Sequence, residues 1–257
     1  MSAKTKDNRK SEDGGAGKRQ INSGVQKRIN TSMKEAISID LPVRGTWITP
    51  NTPGKKIPSH GTDKYGETYA YDFVGVDANS KSNKFYDSTV LSYLINGIPL
   101  DKCYGWGSNV YAPFDGEVVK VEDGVIERNP VRLKNDIGYM RRITKLFLSG
   151  EAEYREVAGN YIIMIKSEGI YALFAHLKEN SICVKEGEII KSGQLLAKVG
   201  HSGNSIAPHL HFQLMDNIDP KKSSGIPCGF RNYEEFRNGK CVQIDSGIPS
   251  RFRIKKI

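Results

Sequence analysis

The stretch 199–215, VGHSGNSIAPHLHFQLM, decides how the rest of the chain is read. A glycine-rich turn runs through Pro208 into a segment with the composition of a β-strand. Residues two apart in a strand project from the same face. His209 and His211 therefore present their imidazoles side by side, while Leu210 and Phe212 face the other way, into a core. Neutral imidazole is a good zinc ligand, and two histidines on one strand face beside a tight turn are one way to build a catalytic metal site. Taken alone, the pattern also describes two surface histidines on an edge strand. The turn at 199–204 has a structural role in both cases, because tight reversals need residues tolerant of positive φ.

Upstream, SICVKEGEIIKSGQLLAKVG (181–200) alternates short apolar runs with Lys-Glu-Gly and Lys-Ser-Gly turns. This meander resembles the barrel-sandwich units of lipoyl and biotinyl carrier domains, although it lacks the lysine of a lipoyl attachment site. NYIIMIKSEGIYALFAHL (160–177) predicts a hairpin turned at Glu168-Gly169, with Ala172, Phe174 and His176 on one face. NVYAPFDGEVVKVEDGV (109–125) predicts another, signalled by Asp-Gly. YAYDFVGVD (69–77) predicts a strand with Ala70, Asp72 and Val74 on one face and Tyr69, Tyr71 and Phe73 on the other. An aspartate among mid-strand aromatics is costly unless its charge is paired. A metal would pair it, and so would a hydrogen bond from a neighbouring loop amide. The polar, turn-rich loop 51–68 delivers His60, and before it SIDLPVRGTWITP (38–50) predicts a short strand ended by Pro50.

Two segments interrupt the strands, near 77–108 and 128–156. The first holds DSTVLSYLING (87–97), a helix capped at Asp87 or Ser88, with Val90, Leu91 and Leu94 at helical spacing and Gly97 as a stop. The second places Ile137, Met140, Ile143 and Phe147 on one face of a helix over 136–149, which would pack on the sheet or line a groove. The tail after 225 predicts a short helix and a last strand. Residues 1–36 form a basic leader expected to be disordered, with nine Lys/Arg and four Asp/Glu in the first 35. One domain is expected over 37–257.

No apolar run reaches the roughly 18–20 residues that span a bilayer, so no transmembrane segment is expected, and no secretory signal peptide is visible. Cys103, Cys183, Cys228 and Cys241 are scattered without a CxxC pair, which argues against a cysteine-ligated zinc knuckle. The net charge of +9 suits an anionic envelope polymer. Without a stacking platform interleaved with basic residues, no specific nucleic-acid partner is expected. Four of the five histidines, His60, His176, His209 and His211, fall in segments a β-fold can bring together, and with Asp72 they match what a hydrolytic zinc site requires. The absence of an HExxH helix excludes a thermolysin-like arrangement.

At this point the chain resembles a known family. AHLKENSICVKEGEIIKSGQLLAKVGHSGNSIAPHLHFQLMD (175–216) resembles the C-terminal half of the lysostaphin-type zinc metallopeptidases, which cleave peptide bonds in peptidoglycan. SHGTDKYGETYAYDF (59–73) resembles their first motif, and VYAPFDGEVVKVEDGV (110–125) the hairpin between the two. The resemblance covers most of 40–235, and its final motif, GNSxxPHLHF, is highly specific. It implies that His60, Asp72 and His211 hold zinc, that His209 is the general base, and that His176 assists it or stabilises the oxyanion. Many members place the aspartate four residues after the first histidine. Here it stands twelve on, which leaves Asp63 as a rival ligand, and Asp72 is preferred for its place in a strand. His201, often asparagine in the family, reads as a turn residue outside the metal shell. The implied fold is mainly β, an antiparallel sheet groove of barrel-sandwich (duplicated hybrid motif) type, with two short inserted helices. The implied function is zinc-dependent endopeptidase cleavage of peptidoglycan peptides through activated water, by a monomer acting at the cell wall or outside the cell. The alternative is a non-catalytic wall-binding or regulatory module on the same fold.

Overall fold

The computed structural model describes residues 36–80, 82–237, 240–250 and 253–256, so all but the last residue of the basic leader lies outside the described residues. Where one strand is predicted near the start there are two, β1 (Ile37–Asp40) and β2 (Gly45–Ile48), parted around Pro42. After the polar loop, β3 (Tyr71–Gly75) buries Tyr71 and Phe73 completely. The predicted hairpin over 109–125 does not form. β4 (Asn109–Tyr111) pairs with β9 (Leu195–Lys198), and β5 (Gly116–Glu122) pairs with β6 (Asn160–Ser167) and β8 (Ile189–Ile190). The Asp115-Gly116 turn thus carries the chain from a small two-stranded sheet into the large one. The hairpin of β6 with β7 (Ile170–Leu177) forms as predicted.

Among the described residues, three α-helices stand in the inserted segments, where the sequence predicts two. The first, α1 (Val90–Ile95), is capped by Thr89, whose Oγ1 accepts the Ser92 N–H at 3.1 Å, one residue beyond the predicted cap. The second, α2 (Leu133–Leu148), is a 16-residue helix rather than a short one, and it buries Ile143 and Asp136. The third, α3 (Tyr154–Ala158), starts at a reciprocal cap between Glu153 and Glu156.

Beyond β10 (Leu210–Met215) and β11 (Gly225–Ile226), the predicted C-terminal helix is absent. The chain makes β12 (Cys228–Arg237), β13 (Lys240–Gly247) and β14 (Arg253–Lys256). Phe230 and Tyr233, three apart, imitate helical spacing. Asn232 takes a left-handed conformation (φ 53) that resets the strand alternation, and both rings are buried.

The large sheet runs β1-β12-β14-β2-β3-β10-β7-β6-β5-β8, with β13 beside β12 and β11 beside β10. It is antiparallel except between β1 and β12, which are parallel. On its inner face Tyr71, Phe73, Phe174, Phe212 and Phe230 pack with Val110, Leu196 and Val199 from the smaller sheet and its surroundings. Leu210 and Phe212 face this core as predicted, and Leu214 joins them. The opposite face of β10 carries His211, Gln213 and Met215, the last packed into a second apolar cluster.

Candidate metal centre

Strand register builds the centre. His211 stands directly opposite Asp72 on β3 and opposite Ala175 on β7. Facing residues of an antiparallel pair hold their Cβ atoms about 5 Å apart, and His211 Nδ1 lies 3.1 Å from Asp72 Oδ1. His60 arrives on the loop, where Ser59 holds it: the Ser59 hydroxyl lies 3.0 Å from His60 Nδ1 and donates to Glu67 O. His60 Nε2 is thereby aimed at Asp72 Oδ2, 3.1 Å away, and finds no hydrogen-bond partner although buried. Donor atoms of His60, Asp72 and His211 all lie within 4.8 Å of one another. Asp63 is exposed and outside this group. The loop amide weighed as an alternative partner for Asp72 is present as well: Asn51 Nδ2 donates to Oδ2 at 2.7 Å.

His209 Nε2 lies 3.5 Å from Asp72 Oδ1, while its Nδ1 faces Ala207 O at 2.8 Å. A carbonyl only accepts, so the ring proton sits on Nδ1 and Nε2 is bare. His176 repeats the pattern, with Nδ1 3.0 Å from Ser202 O. The alternation predicted for β7, with His176 beside Phe174, is broken. Phe174 is in the core, whereas the His176 ring centroid lies 4.7 Å from that of His209. The cause is local: His176 has a φ of 61, and β7 carries an extra residue against β6 between the Ile162–Phe174 and Asn160–Leu177 pairs.

Burial alone would raise the Asp72 carboxyl, but the surrounding imidazoles of His60, His209 and His211 hold it well below the usual carboxylate range. Burial opposes protonation of His211, yet its bond to Asp72 pushes it up to about 9. Burial, joined by the neighbouring histidines, drives His176 well below its ordinary value. A cavity of about 300 Å³ opens onto these groups, with Met140 and Thr144 of α2 on its wall. The inserted helix therefore lines the groove, the second of its two predicted settings.

Gln213 was not singled out in the sequence. It accepts from His211 Nε2 at 2.9 Å and is itself anchored by donating to Tyr65 O at 2.7 Å. This leaves His211 Nδ1 toward the cluster and fixes the tautomer a ligand needs. The period-two alternation that put His209 and His211 on one face places Gln213 there too, so the signal was present.

Residues 148–222, the segment carrying His176, His209 and His211, match the model of peptidase family M23. The chain is 28% identical over 141 residues to the peptidoglycan DD-endopeptidase ShyB of Vibrio cholerae, covering 53% of this chain and 32% of that protein. It is 30% identical over 130 residues to the glycyl-glycine endopeptidase ALE-1 of Staphylococcus capitis, covering 50% of this chain and 33% of that one. It thus spans about a third of the length of these relatives. Among solved structures, the catalytic domain of lysostaphin from Staphylococcus simulans aligns at 24% identity and a TM-score of 0.30, over 47% of this chain and 68% of that one. The resemblance to the lysostaphin-type metallopeptidases drawn from the sequence motifs stands.

Proposed function

We propose, taking 148–222 as an M23 segment, that the chain is a zinc-dependent endopeptidase that hydrolyses peptide bonds in peptidoglycan cross-links or stems. The convergence of His60, Asp72 and His211 beside a cavity carries this reading. Two imidazole nitrogens and one carboxylate oxygen are a donor set that suits zinc with one position open, and the orphaned His60 Nε2 lacks only such a partner. Bound there, zinc supplies Lewis acidity, polarising a scissile carbonyl and bringing the pKa of water to about 7.

The chain's own residues supply the proton chemistry. His209 is the general base: its bare Nε2 takes a proton from the attacking water as the water oxygen bonds to the carbonyl carbon. The imidazolium then returns that proton to the leaving amine nitrogen as the C–N bond breaks. His176 presents a second bare Nε2. It accepts a hydrogen bond from the attacking water and helps to orient it. Because burial keeps His176 neutral, acceptance is its resting role.

The substrate would place the action at the cell wall. Exposed Lys134, Arg141, Arg142 and Lys145 of α2, which carries the cavity wall, favour an anionic polymer nearby. The cavity is built from one chain, so a monomer suffices. Mass spectrometry of purified peptidoglycan, incubated with zinc-loaded protein or with chelated protein, tests the reading. New peptide ends that vanish with chelator and in His211→Ala are expected. Intact peptides in a sample with stoichiometric zinc would overturn it.

A further inference from the structure

We infer that His201 and Ser205, with the Asp136 carboxylate behind them, form a polar relay that positions His209, so that the inserted helix α2 buttresses the proposed base. His201 Nδ1 lies 3.0 Å from Ser205 Oγ, and Ser205 Oγ lies 3.1 Å from His209 Nδ1. At the far end His201 Nε2 faces Asp136 Oδ1 at 3.4 Å and makes no formed hydrogen bond. His201 and Ser205 are 0% exposed and Asp136 1%. His201, expected to be a plain turn residue, is thus outside the metal cluster but wired to the site.

The acceptors fix the direction of the protons. An ionised carboxylate only accepts, so the His201 nitrogen facing Asp136 carries a hydrogen. Burial lowers the proton affinity of His201, and the neutral ring then has a lone pair on Nδ1 that accepts the Ser205 hydroxyl. Ser205 Oγ in turn accepts from His209 Nδ1–H. The Ser205 hydroxyl has a second acceptor in Ala207 O, to which it donates at 2.6 Å and which His209 Nδ1–H also faces. His201 Nδ1 competes with that carbonyl for the hydroxyl, and the Ser205 oxygen keeps a lone pair for His209 Nδ1–H. Arg128 locks the assembly, donating to Asp136 Oδ1 and Gly203 O at 2.7 Å and to Ser205 O. The Arg132 N–H holds the other carboxylate oxygen at 2.7 Å.

The inference rests on the peptidase reading, and two readouts separate them. His201→Leu removes the acceptor, whereas His201→Asn restores one through its amide oxygen. In the zinc-loaded full chain, kcat for a peptidoglycan peptide should fall roughly 10–100-fold in H201L, the range typical of such supporting contacts. KM and zinc content should hold, and H201N should recover most of the rate. In ¹⁵N-imidazole NMR, the His209 Nδ1 resonance should move in H201L and return in H201N. An H201L variant with wild-type kcat and an unmoved His209 resonance would overturn the relay. So would equal losses in both variants tracking equal losses of melting temperature. If the wild type cleaves no peptide, the peptidase reading fails and the NMR comparison alone decides the relay. Should H201L not fold, Ser205→Ala against Ser205→Thr poses the same comparison.

Discussion

Gln213 and His176 show how single side chains set the chemistry available at this site. Gln213 holds His211 by one nitrogen and leaves the other for the cluster. Removing such a contact typically costs 10–100-fold in metal affinity. Gln213→Ala should therefore weaken zinc binding by roughly that factor, measured by competition with a chromophoric chelator, while Gln213→Glu keeps an acceptor and most of the affinity. His176 gives a pH dependence of stability with a definite sign. Its folded-state value lies well below the ordinary 6.5, so the unfolded chain binds its proton first. The contribution is fully present above about pH 6.5 and declines as the pH falls, by roughly 1.4 kcal/mol per pH unit until the folded value is reached. Urea denaturation between pH 5 and 7.5 should show this slope in the wild type and a shallower one in His176→Gln.

At the scale of elements, the strand carrying His209 and His211 was legible because period-two alternation is unambiguous once flanked by a glycine-rich turn. That Asp72 and His211 share a site was implied by the family resemblance, while the register that sets them face to face came only with the structure. What alternation could not reveal were departures from it. A left-handed His176 moves an imidazole from one face of the sheet to the other, and a left-handed Asn232 disguises a strand as a helix. The Asp136–His201 contact joins two segments 65 positions apart, and nothing local marks it. The turn itself has little tolerance. Gly203 has a φ of 62, and a Cβ there would meet Gly159 N at 2.3 Å and Val157 O at 2.5 Å. These neighbours are backbone and cannot swing aside. Gly203→Ala should cost about 3 kcal/mol or more, by analogy with other strained backbone sites. It should also depress zinc affinity, since His209 and His211 hang from the same turn. Calorimetric melting and a zinc titration check both.

Across the whole molecule, α2 ties the two walls of the cavity together. Its Asp136 end meets the glycine-rich turn, and Asn204 Nδ2 donates to Thr144 Oγ1 at 3.1 Å. Its other end sets Phe147 against Tyr65, ring centroids 5.1 Å apart, with Lys221 over the same ring. Met140 faces the cavity between them. Met140→Trp should fill much of the roughly 300 Å³ opening. It should lower kcat/KM at least tenfold with zinc affinity unchanged, a pairing of results that separates blocked access from a damaged centre. If zinc affinity falls in step, α2 shapes the ligands and does not merely wall the cavity.

The weave of the large sheet has a consequence for how the protein is made. β2 lies between β3 and β14, and β1 lies against β12, so strands from early in the chain wait for partners from residues 228–256. A ribosome delivers the early strands first, and they emerge with open edges that nothing yet made can satisfy. Asp72, flanked by Asn51 on one side and His211 on the other, meets its second neighbour only after β10 has been made. The three candidate ligands therefore come together only after β10 has been made, and the outer edge of β2 stays open until β14 follows.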